Sequence, residues 1–95
     1  MTKTFKRLKN IEKKIEFIEN NLDKLNISKD KFEKTYKSIK FQLKDLNVSI
    51  FLIHSFLLKK RLKTRFEDIN NKKIKFDTYL KKGLSEVEAL KKITM

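Results

Sequence analysis

The residues of this chain that could do chemistry are few. Its one histidine, His54, lies inside an uncharged apolar run, and cysteine is absent. A lone histidine without cysteine supplies neither the ligands of a usual zinc site nor a thiolate nucleophile with its base. A buried packing or interface role is therefore expected for His54. We predict that the protein is not an enzyme and uses no cofactor or metal.

Carboxylates recur along the N-terminal part of the chain at helical spacing, at Glu12, Glu16, Glu19 and Asp23. Neighbouring positions on a helix could offer oxygen ligands to a hard cation. Lysines are interleaved with these acids, which favours a solvated polar face instead. Gly83 is the single glycine of the chain. A phosphate-binding glycine loop and a G-x-S-x-G nucleophile turn each need more than one glycine, so neither motif is present.

Basic side chains form the strongest candidate binding site. The formal net charge is +13, and a dense basic cluster begins at residue 59. The residues that we assign to nucleic-acid binding are Lys59, Lys60, Arg61, Lys63, Arg65, Lys72, Lys73 and Lys75. Contacts of such side chains with phosphates give affinity but little sequence specificity. The cluster predicts a polyanion partner, with DNA or RNA as the first candidate; the alternative is a solvated surface that only keeps the chain soluble.

An apolar run from Val48 to Leu58 carries no formal charge and covers most of a helix circumference. Monomeric soluble proteins rarely expose so large an apolar patch, so the run must be buried on several sides. A second copy packed about a twofold axis would cover it and make a homodimer. The residues assigned to this oligomer interface are Ile50, Phe51, Ile53, His54, Phe56, Leu57, Leu58 and Leu62.

Other ways of covering the run remain open. The C-terminal helices of a monomer could fold back over it, or the protein could be an interaction module that binds another helical protein. The run is shorter than the roughly 20 residues that cross a bilayer, so we expect no transmembrane segment. Attachment to a membrane surface is a further alternative, because basic residues follow the run.

Apolar residues in alternating steps of three and four predict two helices with coiled-coil-like seams. Helix 1 is predicted over about residues 4–26, with the seam Leu8, Ile11, Ile15, Ile18, Leu22 and Leu25. Helix 2 is predicted over about residues 29–70, with the seam Phe32, Tyr36, Ile39, Leu43, Leu46, Ile50, Ile53 and Leu57. Ser28 is a suitable N-cap for helix 2, and so short a connection predicts an antiparallel hairpin.

Two shorter helices are predicted in the C-terminal third. Asn70 and Asn71 could end helix 2 or lie within it, and an Asp68–Lys72 pair would support a continuous helix. We favour a break near Asn70–Lys72, followed by helix 3 over about residues 72–82. Gly83 is a typical helix terminator, and Ser85 with Glu88 matches the capping box that would begin helix 4 at about residues 85–93.

The prediction for the whole chain is a single all-α domain over residues 1–95. It consists of an antiparallel helical hairpin with a long second helix and one or two short C-terminal helices, forming a homodimeric helical bundle. With no proline and one glycine, the sequence lacks the residues that the tight turns of a β fold need. The basic N-terminus does not resemble a signal peptide, so we expect a cytoplasmic protein.

Overall fold

The computed structural model of the protein describes the backbone of residues 2–46 and 53–94, and the side chains of residues 5–46 and 56–94. These residues form four helices: α1, Thr2–Asp23; α2, Lys29–Asp45; α3, Ile53–Lys81; and α4, Glu86–Thr94. No β-strand occurs within the described ranges. The prediction of an all-helical protein is confirmed.

The seam of α1 forms the centre of the core. Leu8, Ile11, Ile15, Ile18 and Leu22 are all at most 1% exposed, as their spacing predicts. Leu25, predicted as the last seam residue, is instead exposed, because α1 ends at Asp23.

A Schellman motif ends α1. The backbone N–H of Asn26 donates to the carbonyl of Asn21, that of Leu25 donates to Leu22, and Leu25 adopts the left-handed conformation at φ 53°. Glycine usually occupies this position, which is why the sequence alone does not mark the end of the helix here.

The predicted second helix over residues 29–70 is wrong. Its start is confirmed, because the Ser28 hydroxyl accepts a hydrogen bond from the backbone N–H of Lys31. However, α2 ends at Asp45, where Leu46 turns to the extended conformation, and α3 begins at Ile53. The apolar spacing continues through this connection without proline or glycine, and a spacing pattern cannot distinguish one long helix from two helices that contribute to the same core.

The predicted break near Asn70–Lys72 is also wrong, since α3 runs through these residues to Lys81. Asn70 uses its side-chain oxygen to accept a hydrogen bond from the Tyr36 hydroxyl of α2, so it serves helix packing and not helix termination. Asp68 and Lys72 form an ion pair of 3.7 Å across one turn, which supports a continuous helix. The predicted helix 3 is therefore the C-terminal part of α3.

The end of α3 and the start of α4 agree with the sequence. Gly83 has φ 94°, and the Leu84 N–H donates to the carbonyl of Tyr79, which completes a second Schellman motif. Ser85 then caps α4 by accepting a hydrogen bond from the Glu88 N–H at 3.2 Å. Ala89, Leu90 and Ile93 of α4 are buried.

Three long helices of one chain enclose the core. Phe32 packs on Phe76 with ring centroids 5.6 Å apart, and Tyr36 stacks on Phe66 at 5.3 Å, so α2 and α3 run in opposite directions. The resulting molecule measures 48 × 21 × 20 Å. α3 packs along both α1 and α2, and the described core residues of these helices form one buried cluster.

Candidate polyanion-binding groove

A groove between α2 and α3 collects lysines from both helices. Lys40 and Lys44 of α2 line one wall, and Lys59 and Lys63 of α3 line the other. Leu43 and Phe66 supply the apolar part of its lining, which we call the floor, and Glu67 also lines it. The groove has a volume of about 450 Å³. We call these four lysines and their floor the lysine groove.

The local sequence explains how the lysines come together. Lys40 and Lys44, like Lys59 and Lys63, are four residues apart, so each pair lies on one face of its helix about 6 Å apart along the axis. Each pair lies beside core positions: Ile39 is fully buried in α2, as Leu62 is in α3. Packing these apolar stripes against each other therefore brings the neighbouring lysines to one groove.

Four lysines and one carboxylate, Glu67, line the groove. Among the residues that the structure describes, ion pairs are formed by Lys9, Arg61, Arg65, Lys72 and Lys73, and none involves a lysine of the groove. Like charges one helical turn apart destabilise a helix by a few tenths of a kcal/mol per pair. An anion bound between the two walls would relieve this repulsion on both helices at once.

Lys59 has a second role. Its ammonium group donates a hydrogen bond of 2.9 Å to the backbone carbonyl of Leu46, the C-cap of α2. This contact gives a hydrogen-bond partner to a carbonyl that has none within the helix. It also places a positive charge at the negative end of the helix dipole, where such a charge is stabilising. It also fixes the ammonium group of Lys59 at one end of the groove.

The opposite flank of α3 is neutralised by α1. Arg61 donates to Glu12 at 3.3 Å, and Arg65 forms a two-bond contact with Glu19. The hydrogen bond to Glu19 raises the pKa of the Arg65 guanidinium above its ordinary value. The raised pKa means that folding favours the protonated form of Arg65. This contribution to stability is complete below the unfolded-state pKa and is lost only as the pH rises through the folded-state value, so Arg65 remains charged throughout the neutral range.

Lys73, which the sequence assigns to nucleic-acid binding, is engaged in ion pairs within the fold. It is only 9% exposed and lies between α2 and α3, where its ammonium group contacts Asp77 at 2.6 Å and Glu33 at 3.6 Å. The ring of Tyr36 lies 5.9 Å from the same ammonium group. Lys73 is thus an ion-paired residue of the helix interface, because its position on α3 turns it towards α2.

The other predicted basic residues are divided among several surfaces. Lys59 and Lys63 lie in the lysine groove, while Lys60 and Lys75 are exposed elsewhere on α3. Arg61, Arg65 and Lys72 are ion-paired. Sequence reasoning missed Lys40 and Lys44, although their four-residue spacing beside the buried Ile39 was a usable signal.

The structure places the predicted interface residues in different environments. Phe56 and Leu57 are each 56% exposed, Leu58 is half-buried, and Leu62 is fully buried in the core of its own chain. The assignment of Leu62 to an oligomer interface is therefore wrong, because α1 and α2 already cover it. Ile50 and Phe51 lie outside the described residues, as do the side chains of Ile53 and His54, which belong to the first turn of α3.

Some of the exposed apolar side chains lie near the starts of α1 and α3. Phe5 of α1 is 48% exposed and lines a hollow of about 360 Å³ together with Leu57 and Leu58 of α3. Lys9 and Arg61 border the same hollow. Phe56 precedes Leu57 in the chain and is also exposed, although it does not line this hollow. We call the exposed side chains Phe5, Phe56 and Leu57 the apolar end.

Comparisons with protein-family models, with curated proteins and with solved structures found no match for this chain. Within the described residues, no group of three or more histidine, cysteine, aspartate or glutamate side chains could hold a metal ion. The described helices include none that is long and apolar enough to cross a membrane.

Proposed function

We propose that this protein binds a polyanion, nucleic acid in the first place, through the lysine groove in an accessory or regulatory role. The observation that carries the proposal is the convergence of Lys40, Lys44, Lys59 and Lys63 on one groove with no ion-pair partner among the described residues. The net charge of +13 adds long-range attraction for any polyanion.

A polymer fits this arrangement better than a single phosphate. The four ammonium groups lie along two helices, so successive phosphates of one strand can meet different lysines. Lysine is a flexible point charge and does not make the two-pronged base contacts that arginine makes. We therefore expect binding with weak preference for base sequence.

The salt dependence of binding tests this proposal. Four phosphate contacts on a single strand predict a slope of about −3 for log K against log salt, so affinity falls about fiftyfold between about 50 and 200 mM salt. Fluorescence anisotropy of a labelled oligonucleotide measures this directly. A slope near zero, or no binding at about 50 mM salt, would contradict the proposal.

Self-association through the apolar end is the second candidate function, because Phe5, Phe56 and Leu57 are each about half exposed and Phe5 lines one hollow with Leu57. A second copy related by a twofold axis would bury these side chains from both chains. Each copy carries a charge of +13, so salt would strengthen the dimer by screening repulsion while weakening nucleic-acid binding. The two activities are therefore distinguished by opposite responses to salt.

A further inference from the structure

We propose that the lysine groove takes a single-stranded nucleic acid, with bases against its floor and phosphates on its lysines. This inference rests on the proposed function and adds the class of ligand. It starts from the floor of the groove, where an aromatic and an aliphatic side chain, Phe66 and Leu43, lie between the charged walls. Both are half-buried, so each keeps part of its apolar surface open to the groove.

The ring of Phe66 packs against a second aromatic ring. It stacks on Tyr36 with centroids 5.3 Å apart and planes inclined by 22°. The Tyr36 hydroxyl in turn donates a hydrogen bond to the side-chain oxygen of Asn70. An aromatic ring fixed in this way loses little conformational freedom when a base packs on it.

A single strand can use both parts of the groove. Its bases are free to turn towards an apolar floor while its phosphates face basic side chains, which is the combination that single-strand-binding proteins use. A duplex keeps its bases stacked inside and presents mainly phosphates on a convex surface. It would leave the floor of a groove of about 450 Å³ uncovered. A base-free polyanion such as polyphosphate would do the same.

Three ligands of equal length separate these possibilities: a single-stranded DNA of about 12 nucleotides, the same backbone with every site abasic, and the corresponding duplex. Anisotropy at low salt measures all three against the full chain. We expect the single strand to bind about tenfold more tightly than the abasic strand, because stacking of even one base supplies a factor of this size. The duplex should resemble the abasic strand.

A variant ties the preference to the floor. Phe66→Leu keeps an apolar side chain but removes the ring, and we expect it to bind the single strand and the abasic strand equally. Phe41→Leu is the matched control, because Phe41 also lies on the bundle surface, is 69% exposed and does not line the lysine groove. It should keep the full preference for the single strand.

The outcomes are distinguishable. Equal binding of the single strand and the abasic strand, duplex binding as tight as single-strand binding, or an unchanged preference in folded Phe66→Leu would each overturn this inference and leave polyanion binding intact. Failure of all three ligands to bind would remove the proposed function as well. If circular dichroism shows that Phe66→Leu does not fold, the comparison of ligands on the unsubstituted chain decides.

Discussion

Replacing Lys40, Lys44 and Lys63 by glutamine is expected to weaken binding of single-stranded DNA by about a hundredfold at low salt. A charge contact at the surface contributes about 1 kcal/mol, and about 1.4 kcal/mol corresponds to a tenfold change in affinity. The slope of log K against log salt should become shallower, because three phosphate contacts are lost. Anisotropy titrations at two salt concentrations measure both effects. Lys59 is left in place because its ammonium group also donates to the carbonyl of Leu46.

A second triple variant separates the groove from total charge. Lys6, Lys13 and Lys24 are exposed on α1 or just after it, away from the lysine groove. Glutamine at these positions also lowers the net charge from +13 to +10, since three lysines are removed. We expect this control to keep most of the affinity for the single strand. An equal loss in both triple variants would mean that the whole molecule attracts the polyanion and that the groove has no special role.

Phe56→Glu is expected to abolish self-association. Phe56 is 56% exposed, so the substitution should leave the folded monomer intact, as circular dichroism can verify. In a twofold dimer it would place two carboxylates in an apolar contact, and burying an unpaired charge costs several kcal/mol per ion. We therefore expect the dimer to weaken by at least about a hundredfold. Light scattering on the protein as it elutes from a size-exclusion column measures the mass of the assembly in solution. High salt is used to screen the repulsion between the two chains.

Ile74→Glu is the matched control for this experiment. Ile74 lies on the same helix, is 57% exposed and is not part of the apolar end. This variant should remain a dimer under the conditions in which Phe56→Glu is a monomer. A mass of one chain, 11.5 kDa, for the unsubstituted protein at every salt concentration would contradict self-association.

Local sequence signals predicted the helix type and several helix ends. The three- and four-residue steps of Leu8, Ile11 and Ile15 correspond to fully buried positions, and Ser28 and Ser85 cap the helices as their side chains allow. Such features depend on residues within a few turns of each other, so the sequence contains the necessary information.

The arrangement of the helices depended on contacts that the sequence does not display. The end of α2 at Asp45 is not marked by proline or glycine. The carbonyl of its C-cap, Leu46, accepts a hydrogen bond from Lys59 on the next helix. The residues of the candidate site are likewise brought together by contacts between helices. In the sequence Lys73 belongs to a basic run, but in the structure it lies in the α2–α3 interface. Lys40 was not predicted as a site residue, because the other lysines that line the groove with it include residues of α3.

Nuclear magnetic resonance identifies which residues of the protein contact the nucleic acid. Single-stranded DNA is added to isotope-labelled protein, and the shifts of backbone amide and lysine side-chain signals are followed. We predict that the largest shifts cluster at the residues that line the lysine groove, Lys40, Leu43, Lys44, Lys59, Lys63, Phe66 and Glu67. Shifts spread evenly over the lysines of all four helices, or concentrated at Phe5, Phe56 and Leu57, would contradict the assignment of the lysine groove as the binding site.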